Sequence, residues 1–263
     1  LKSLEKRIVS QAINASTVSA FVQQKINEIL PKVSVEIIPN GYDPDAIEGL
    51  QDISPQNKVL RFAFVGTIYE WHPLELFLEQ IYLFKKDNEI SLEVNFYGTN
   101  KTTWITEFIR NKYPSLVGTV NTFSKMPNQE LLKTLASHHV MILFNYYSYL
   151  GTKIFDYLAI KRQIILCFER DPKAEILRKR HFSIKETSND NTQLQADVLR
   201  KTNGGIVVKD ASHLQVVLTS LRAEFLQTGN IACDSRDIEQ YSRRIQAERL
   251  ASLIKSISSQ SKL

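Results

Sequence analysis

Short, strongly apolar segments alternate with helix-like segments over most of the chain, and this alternation restricts the possible folds more than any other feature. The apolar segments predict strands over 60–65, 94–97, 140–144, 163–168 and 206–208. Segments with helical spacing of apolar residues separate them, over 73–86, 102–112, 128–138, 152–160 and 211–228. Strands that are apolar on both faces need cover on both sides. The chain is therefore predicted to form an α/β fold, a Rossmann-like parallel sheet flanked by helices.

The segments outside this pattern are less regular. Helices are predicted over 1–14 and up to residue 30, where Pro31 ends the second one. Short strands are predicted over 17–21 and 33–38, and Pro39-Asn40-Gly41 breaks the latter. Three further segments complete the chain: a linker over 43–58, a polar loop with one helical turn over 185–205, and a long amphipathic helix over 235–257.

Charge and cysteine usage narrow the class of protein. The formal net charge of +5 over 263 residues favours anionic partners such as phosphates, but no nucleic-acid-binding motif accompanies it, so nucleic acid is not an expected partner. Cys167 and Cys233 form no C-x-x-C, and Cys167 is predicted to be a buried small residue. No secretory signal or spanning segment is visible, and the chain opens on Leu1. A cytoplasmic protein, present as a fragment of a longer one, is expected.

Two loops are candidates for ligand binding, because ligands of open parallel sheets bind beyond the carboxyl ends of the strands. Gly66 and Thr67 follow the strand over 60–65, and a glycine there lets backbone approach a ligand closely. An ordinary strand-to-helix turn explains the glycine equally well. No G-x-G-x-x-G fingerprint is present, so a dinucleotide site is not predicted.

The second candidate is the loop 145–151, which leads into the helix predicted to start at Thr152. Free N–H groups at a helix start, together with the charge of Lys153, favour an anion. Asp156 lies one turn further along and has the chemistry to accept hydrogen bonds from a sugar diol. Alternatively, Lys153 and Asp156 are two solvated charges on a helix surface.

Other motifs carry weaker hypotheses. Asp43-Pro44-Asp45 has the D-x-D form of some divalent-metal sites, although it lies in a polar linker. His138 and His139 are adjacent on a helix and point in different directions, which disfavours a shared metal. No metal is expected.

The order of four motifs resembles the C-terminal half of retaining GT-B glycosyltransferases, which build bacterial polysaccharides and glycolipids. The matching segments are VEIIPNGYD (35–43), FVGTIY (64–69), GTV (118–120) and KIFDYLA (153–159). The resemblance implies a tail of a missing N-terminal acceptor domain over 1–30 and an interdomain strand and linker over 31–58. A nucleotide-sugar-binding domain over 59–230 and a closing amphipathic helix over 231–263 would follow.

The resemblance also implies a reaction and residue roles. The chain would supply the donor-binding half of an enzyme that transfers a sugar, with retained configuration, to a polysaccharide or lipid-linked acceptor, without a metal cofactor. The donor phosphates would lie on Gly66, Thr67, Thr152 and Lys153, the ribose on Asp156, and the base against Val120. Separately from the resemblance, the basic residues Arg236, Arg243, Arg244 and Arg249 of the amphipathic closing helix would allow peripheral contact with the inner face of the membrane; alternatively they form a plain solvated face.

Three positions depart from the family's pattern. Ser148 stands where many members have a carboxylate, and Thr67 and His72 stand where many have basic residues that face the pyrophosphate. Two rival functions therefore stay open. The departures favour one of them, a degenerate, non-catalytic nucleotide-binding or interaction module. The other is an enzyme resembling a UDP-sugar 2-epimerase, against which the lack of that enzyme's acidic and histidine active-site pattern argues.

Overall fold

The computed structural model describes residues 12–260, so the helix predicted over 1–14 lies almost wholly outside the described residues. A small parallel sheet opens the described part, formed by β1 (Asn14–Thr17) and β2 (Ser34–Ile37), with α1 (Ala20–Ile29) between them. The strand predicted over 17–21 is thus misplaced: Ser19 accepts a hydrogen bond from the N–H of Val22 and caps α1. A side-chain cap at that position favours helix over strand in the residues that follow.

The main sheet has six parallel strands, and the alternation of apolar segments predicts five of them; the strand Val120–Phe123 was not predicted from it. The strands are β3 (Leu60–Val65), β4 (Leu92–Tyr97), β5 (Val120–Phe123), β6 (Val140–Phe144), β7 (Gln163–Cys167) and β8 (Gly205–Val208). Their order across the sheet is β5-β4-β3-β6-β7-β8, and all neighbours pair in parallel. The chain therefore starts in the middle, moves out to one edge, returns to pair β6 with β3, and continues to the other edge.

Helices cover both faces of this sheet. They are α2 (Leu74–Asp87), α3 (Thr102–Lys112), α4 (Asn128–Ala136), α5 (Lys153–Ala159), α6 (Pro172–His181), α7 (Leu194–Thr202), α8 (Ala211–Thr228) and α9 (Arg243–Gln260). Alternate strand residues enter two separate cores: Phe62 and Phe64 pack with α2 and α8, whereas Ala63 packs with α4 and α5. This alternation follows from the two-residue period of a strand.

Two helices and one helix boundary were not predicted correctly. The polar segment 185–205 contains the nine-residue helix α7 rather than one turn, because its apolar side chains, such as Leu194 and Leu199, are buried. Helix α6 was missed, although Asp171 caps it and Pro172 occupies its first turn. The closing helix begins at Arg243 rather than at residue 235, and a 3-10 turn, Ile238–Tyr241, precedes it.

The closing helix joins the linker through backbone hydrogen bonds. The N–H of Tyr42 donates to the carbonyl of Tyr241 at 3.0 Å, and the N–H of Arg243 donates to the carbonyl of Tyr42 at 2.9 Å. Gly41 lies at this junction, and a Cβ on it would stand 2.0 Å from the carbonyl oxygen of Tyr241. Only glycine lets the two segments approach this closely.

We expect Gly41→Ala to lower the free energy of unfolding by about 1–3 kcal/mol, because the added methyl group forces two paired backbone segments apart. Urea unfolding followed by circular dichroism measures the loss. Gly151→Ala is the matched control, since a Cβ there would make ordinary contact with the ring of Tyr146 at 3.8 Å. Equal stability of the two variants would contradict this account of the junction.

Candidate functional site

The site predicted from the strand ends lies where the direction of the sheet changes. Strands β3 and β6 are neighbours, while the connections after them lead to opposite edges of the sheet. The loops that follow two such strands separate and leave a crevice, the usual ligand site of an open α/β sheet. In this chain the two loops are 66–73 and 145–152. They contain three of the six predicted site residues, Gly66, Thr67 and Thr152, and the second loop leads directly into a fourth, Lys153.

The loop after β3 starts with backbone that favours glycine. Gly66 has φ +101°, its N–H donates to the carbonyl of Tyr97 at 3.0 Å, and a Cβ on it would meet no atom within 4 Å. Thr67 is exposed. Asn100 holds the loop in place: its Oδ1 accepts a hydrogen bond from the N–H of Ile68 at 2.8 Å. The glycine therefore forms a turn and also leaves open space beside the backbone.

The loop after β6 is held by side chains from distant segments. The N–H of Tyr146 donates to Oε1 of Gln195 on α7 at 2.6 Å, and the N–H of Ser148 donates to Oε1 of Glu186 at 3.3 Å. Tyr147 has φ +56°, and its N–H donates to Oδ1 of Asn145 at 2.8 Å. Both Gln195 and Glu186 were missed by the sequence analysis, since no local motif links them to this loop.

Helix α5 connects the two loops. The hydroxyl of the buried Tyr157 accepts a hydrogen bond from the N–H of Val65 at 3.0 Å, and burial raises the pKa of that hydroxyl. Lys153 and Asp156 form an ion pair, with Nζ and Oδ2 3.0 Å apart, and the Asp156 side chain is only 14% exposed. The structure thus brings these two residues together, as neighbours at i and i+3 on a helix are expected to be. Thr152 caps this seven-residue helix without a side-chain hydrogen bond.

His72 supplies no positive charge to the crevice. It is buried, its Nδ1 accepts a hydrogen bond from the N–H of Tyr69 at 3.3 Å, and burial lowers its pKa to about 3. A histidine with that pKa is neutral at physiological pH. Thr67 and His72 therefore do not supply the positive charge that basic residues supply at these positions in the family's pattern.

Val120 lies away from the crevice. It is the first residue of β5 and packs against the core, whereas the carboxyl end of that strand is Phe123. Three residues of strand span about 10 Å at 3.3 Å per residue. Phe123, which is 42% exposed and stacks on Tyr97 with ring centroids 4.9 Å apart, occupies the end of β5 nearer the ligand edge.

Basic side chains near the crevice pair with carboxylates of the chain itself. Lys101 lies 2.5 Å from Glu70, and Arg178 and Arg200 pair with Glu186 and Glu169, respectively. Lys153 is likewise paired, with Asp156. An anionic ligand has to compete with these internal partners.

A cavity of about 330 Å³ opens between the two loops and the segment after α6. Five aromatic residues contribute to its lining: Tyr69, Trp71, Tyr146, Tyr149 and Phe182. None of them was predicted as a site residue, although the aromatic content of the segments 69–71 and 146–149 is visible in the sequence. Within residues 12–260 no group of three or more His, Cys, Asp or Glu side chains is placed to hold a metal ion. Asp45 of the D-x-D motif instead pairs with Arg244 at 2.8 Å.

A six-stranded parallel sheet, flanked by helices and changing direction at its centre, defines a Rossmann-like α/β domain. Among protein families and curated proteins, no sequence match is found. Among solved structures, the fold is shared with glycosyltransferases of the GT-B type.

Three of these structures illustrate the likeness. Sucrose-phosphate synthase from Thermosynechococcus elongatus has a TM-score of 0.62 and 14% identity, over 98% of this chain and 61% of its own. A glycosyltransferase from Rickettsia africae ESF-5 has a TM-score of 0.63 and 14% identity, over 97% of this chain and 66% of its own. HepE from Anabaena, in complex with UDP-glucose, has a TM-score of 0.60 and 9% identity, over 97% of this chain and 67% of its own. The chain thus spans about two thirds of the length of these proteins.

Proposed function

We propose that the chain is the donor-binding half of a glycosyltransferase and binds a nucleotide-diphosphate sugar in the crevice between β3 and β6. The observation that carries this proposal is the crevice at the change of sheet direction, between the loops 66–73 and 145–152 that follow β3 and β6. Solved structures with the same fold support it, since one of them is in complex with UDP-glucose. No described helix is long and apolar enough to cross a membrane.

The proposed reaction transfers the sugar to a hydroxyl group of a polysaccharide or lipid-linked acceptor, with retained configuration. The bond between the anomeric carbon and the diphosphate oxygen breaks, a bond to the acceptor oxygen forms, and the acceptor proton leaves with the diphosphate. This chain would hold the donor, and a further domain would hold the acceptor. Charge on the leaving diphosphate would be stabilised by backbone N–H groups and Lys153, without a metal.

The residue roles that we propose are those that the resemblance implies. The backbone of Gly66 and Thr67 would face the phosphates on one side, and Thr152 and Lys153 on the other. Asp156 would accept hydrogen bonds from the ribose. A base beyond the ribose would extend over the ends of β4 and β5, where Phe123 is exposed. Val120 as the base-lining residue stays a prediction from the resemblance.

Contact with the inner face of the membrane stays a proposal, and two of its four basic residues have other partners. Arg243 donates to the carbonyl of Gly41, and Arg244 pairs with Asp45. The cytoplasmic location is likewise proposed.

A non-catalytic nucleotide-binding module is the second candidate, and the neutral, buried His72 favours it. Positive charge beside the diphosphate accelerates its departure, and the neutral Thr67 and His72 leave less of it here than the family's pattern has. The two functions differ in one respect: an enzyme consumes bound nucleotide sugar when an acceptor is present, whereas the module does not.

Substitutions at Lys153 and Asp156 test the proposed donor site. Lys153→Ala is expected to weaken nucleoside diphosphate and pyrophosphate alike, by about tenfold, because it removes one charge-assisted contact worth about 1.5 kcal/mol. Asp156→Asn is expected to weaken only the nucleoside diphosphate, since its partner is the ribose. Pyrophosphate should bind that variant at least as tightly, because Lys153 loses its internal partner. Calorimetric titration with UDP, GDP, ADP and pyrophosphate measures these affinities.

Lys133→Ala, on the exposed surface of α4, is the matched control and is expected to bind all four ligands normally. Equal weakening of UDP and pyrophosphate by Asp156→Asn would remove the ribose assignment. Absence of binding to any nucleotide by the unmodified chain would contradict the donor site itself.

A further inference from the structure

The loop 145–151 contains a buried backbone N–H group whose partner is a carboxylate from a distant segment. The N–H of Ser148 donates to Oε1 of Glu186 at 3.3 Å, although 38 positions separate the two residues in the chain. The side chain of Ser148 is fully buried, and its hydroxyl has no hydrogen-bond partner within the described residues. At this position the backbone, rather than the side chain, therefore makes the specific contact.

The preceding residue, Tyr147, has a backbone conformation that needs support. Its φ of +56° lies in the left-handed region, which is disfavoured about tenfold for a residue with a side chain. Its ring is held by two side chains: the guanidinium of Arg178 lies over it, 4.2 Å from the centroid, and Phe182 meets it at 5.3 Å and 68°. Such conformations persist where the surrounding contacts determine them.

Arg178 connects the two contacts. Its guanidinium pairs with the carboxylate of Glu186 while it lies over the ring of Tyr147, so one side chain of α6 fixes both groups. The exposed fraction is 22% for the side chain of Arg178 and 12% for that of Glu186, so solvent screens this ion pair only partly. Hydrogen bonds between charged groups are stronger than neutral ones. Arg178 also pairs with Glu175, one turn earlier on the same helix, at 3.3 Å.

The segment that carries Glu186 is itself held on both sides. Before it, Phe182 packs edge-on against Trp71, with ring centroids 5.2 Å apart. After it, the buried carboxylate of Asp190 pairs with Lys25 of α1 at 3.3 Å. A fixed segment thus presents the carboxylate of Glu186 to the loop.

From these contacts we infer that Glu186 is a positioning residue of the proposed nucleotide site. Its carboxylate, fixed by Arg178, holds the N–H of Ser148 and keeps the loop 145–151 in the conformation that leads into α5. The inference deepens the proposed function and rests on it for the ligand. It also gives a reason for the departure at Ser148, where many members of the family that the sequence resembles have a carboxylate. Here a carboxylate reaches the same loop from another segment, and its partner is the backbone.

A positioning role and a purely electrostatic role predict opposite changes in the binding of anions. By charge alone, removal of a carboxylate near the crevice removes repulsion and strengthens binding of a nucleoside diphosphate. Loss of the loop's conformation instead weakens binding, because the apparent affinity falls with the fraction of molecules that are competent to bind. The direction of the change therefore separates the two roles.

We expect Glu186→Ala to weaken UDP, GDP, ADP and pyrophosphate by about tenfold in calorimetric titration, because the left-handed conformation of Tyr147 then loses part of its support. Glu175→Ala is the matched control. It removes the same charge from the same partner, Arg178, but its ion pairs lie within α6. This control should bind the four ligands as tightly as the unmodified chain, or more tightly.

Hydrogen exchange at the amide of Ser148, measured by NMR without ligand, tests the contact independently of nucleotide. We expect exchange to be about ten- to a hundredfold faster in Glu186→Ala, the range for loss of a hydrogen bond to a charged group, and unchanged in Glu175→Ala. Urea unfolding gives the global stability of both variants. A residue that only stabilised the fold would lower this stability and leave the affinity of the folded protein unchanged, which would overturn the positioning role.

The outcomes distinguish this inference from the donor site. If the unmodified chain binds nucleotide and Glu186→Ala binds it equally or more tightly, the positioning role is overturned while the donor site stands. Absence of nucleotide binding by the unmodified chain would contradict the proposed donor function. Exchange at Ser148 then decides: faster exchange in Glu186→Ala alone supports the inference, and equal exchange in Glu186→Ala and Glu175→Ala overturns it. If Glu186→Ala does not fold, Glu186→Asp, which keeps the charge but has a shorter side chain, replaces it in both measurements and should change them in the same direction.

Discussion

Arg162→Met is expected to lower the free energy of unfolding by about 3–5 kcal/mol, because it leaves several buried carbonyl groups of three segments without their partner, at about 1–3 kcal/mol each. Its Nε and Nη2 donate to the carbonyl of Ala136 at 3.0 and 2.7 Å, and its Nη1 donates to the carbonyls of Ile160 and Lys161 at 3.2 and 3.1 Å. A further bond from Nη2 reaches the carbonyl of Ile53 in the linker.

The position of these carbonyls explains the size of the effect. Ala136 ends α4, and Ile160 and Lys161 directly follow α5, so the guanidinium satisfies acceptors that helix ends leave free. Arg162 is 8% exposed, and its hydrogen-bond partners are backbone carbonyl groups rather than carboxylates. Burial lowers its pKa, a cost that the backbone acceptors offset. Methionine fills the volume but leaves the carbonyl groups unpaired in a dry environment.

Urea unfolding at neutral pH measures the loss. Arg162→Lys should recover less than half of it, since one ammonium group does not reach three separate segments. Arg180→Met, on the exposed side of α6, is the matched control and should change stability by less than about 0.5 kcal/mol. A loss below about 1 kcal/mol in Arg162→Met would show that these segments hold together without the guanidinium.

The contrast between Arg162 and the strands shows what the sequence could predict. Strands that are apolar on both faces can be recognised from the local sequence, because a strand buried between two layers of helices has few polar residues. The positions after their carboxyl ends, such as Gly66, follow directly. Nothing local signals that four carbonyl groups converge on Arg162, since they come from three segments and arginine is usually exposed.

The candidate site likewise has one part that local sequence predicts and another that depends on the topology of the sheet. Lys153 and Asp156 were predicted as site residues from one short helix. A spacing of three residues on a helix also allows the ion pair that they form. The crevice itself depends on β6 returning to pair with β3, as in the register Phe62 to Val140, which no local pattern encodes. The aromatic cavity was missed for the same reason, because Trp71, Tyr146 and Phe182 meet only through that topology.

Acidification is expected to unfold the protein steeply below pH 6.5, because three histidines are buried in neutral form. Burial lowers the pKa of His72 to about 3 and the pKa values of His138 and His139 to about 4. In the unfolded chain each has a pKa of about 6.5. The unfolded state therefore binds up to three more protons than the folded state between about pH 6 and pH 4, and stability falls as the pH is lowered through this window.

The hydrogen bonds of two of these histidines define their neutral tautomers. Nδ1 of His138 donates to the carbonyl of Thr134 at 2.9 Å, which leaves Nε2 to accept from Asn95 at 3.1 Å and from Tyr97 at 3.3 Å. Nδ1 of His139 accepts from the N–H of Arg61 at 3.1 Å. A second proton on either ring would face a donor, so protonation opposes the native contacts as well as burial.

The magnitude follows from the number of protons. At 1.36 kcal/mol per pKa unit, three histidines give a slope of about 4 kcal/mol per pH unit, so about 4 kcal/mol should be lost between pH 7.5 and pH 5.5. Typical domain stabilities are about 5–15 kcal/mol, so a chain with a stability of about 6 kcal/mol would reach the midpoint of acid unfolding at about pH 5, and a more stable chain at lower pH. Urea titrations at half-unit pH intervals measure the slope.

His138→Gln tests the contribution of a single ring. Glutamine does not titrate and keeps one donor and one acceptor. The variant should therefore be less stable at pH 7.5 but lose about 1.4 kcal/mol per pH unit less on acidification, equal to one proton. His181→Gln, on the exposed end of α6, is the surface control. A stability that is the same at pH 7.5 and pH 5.5, or a His138→Gln variant with the full slope of the unmodified chain, would show that buried neutral histidines do not govern the response to acid.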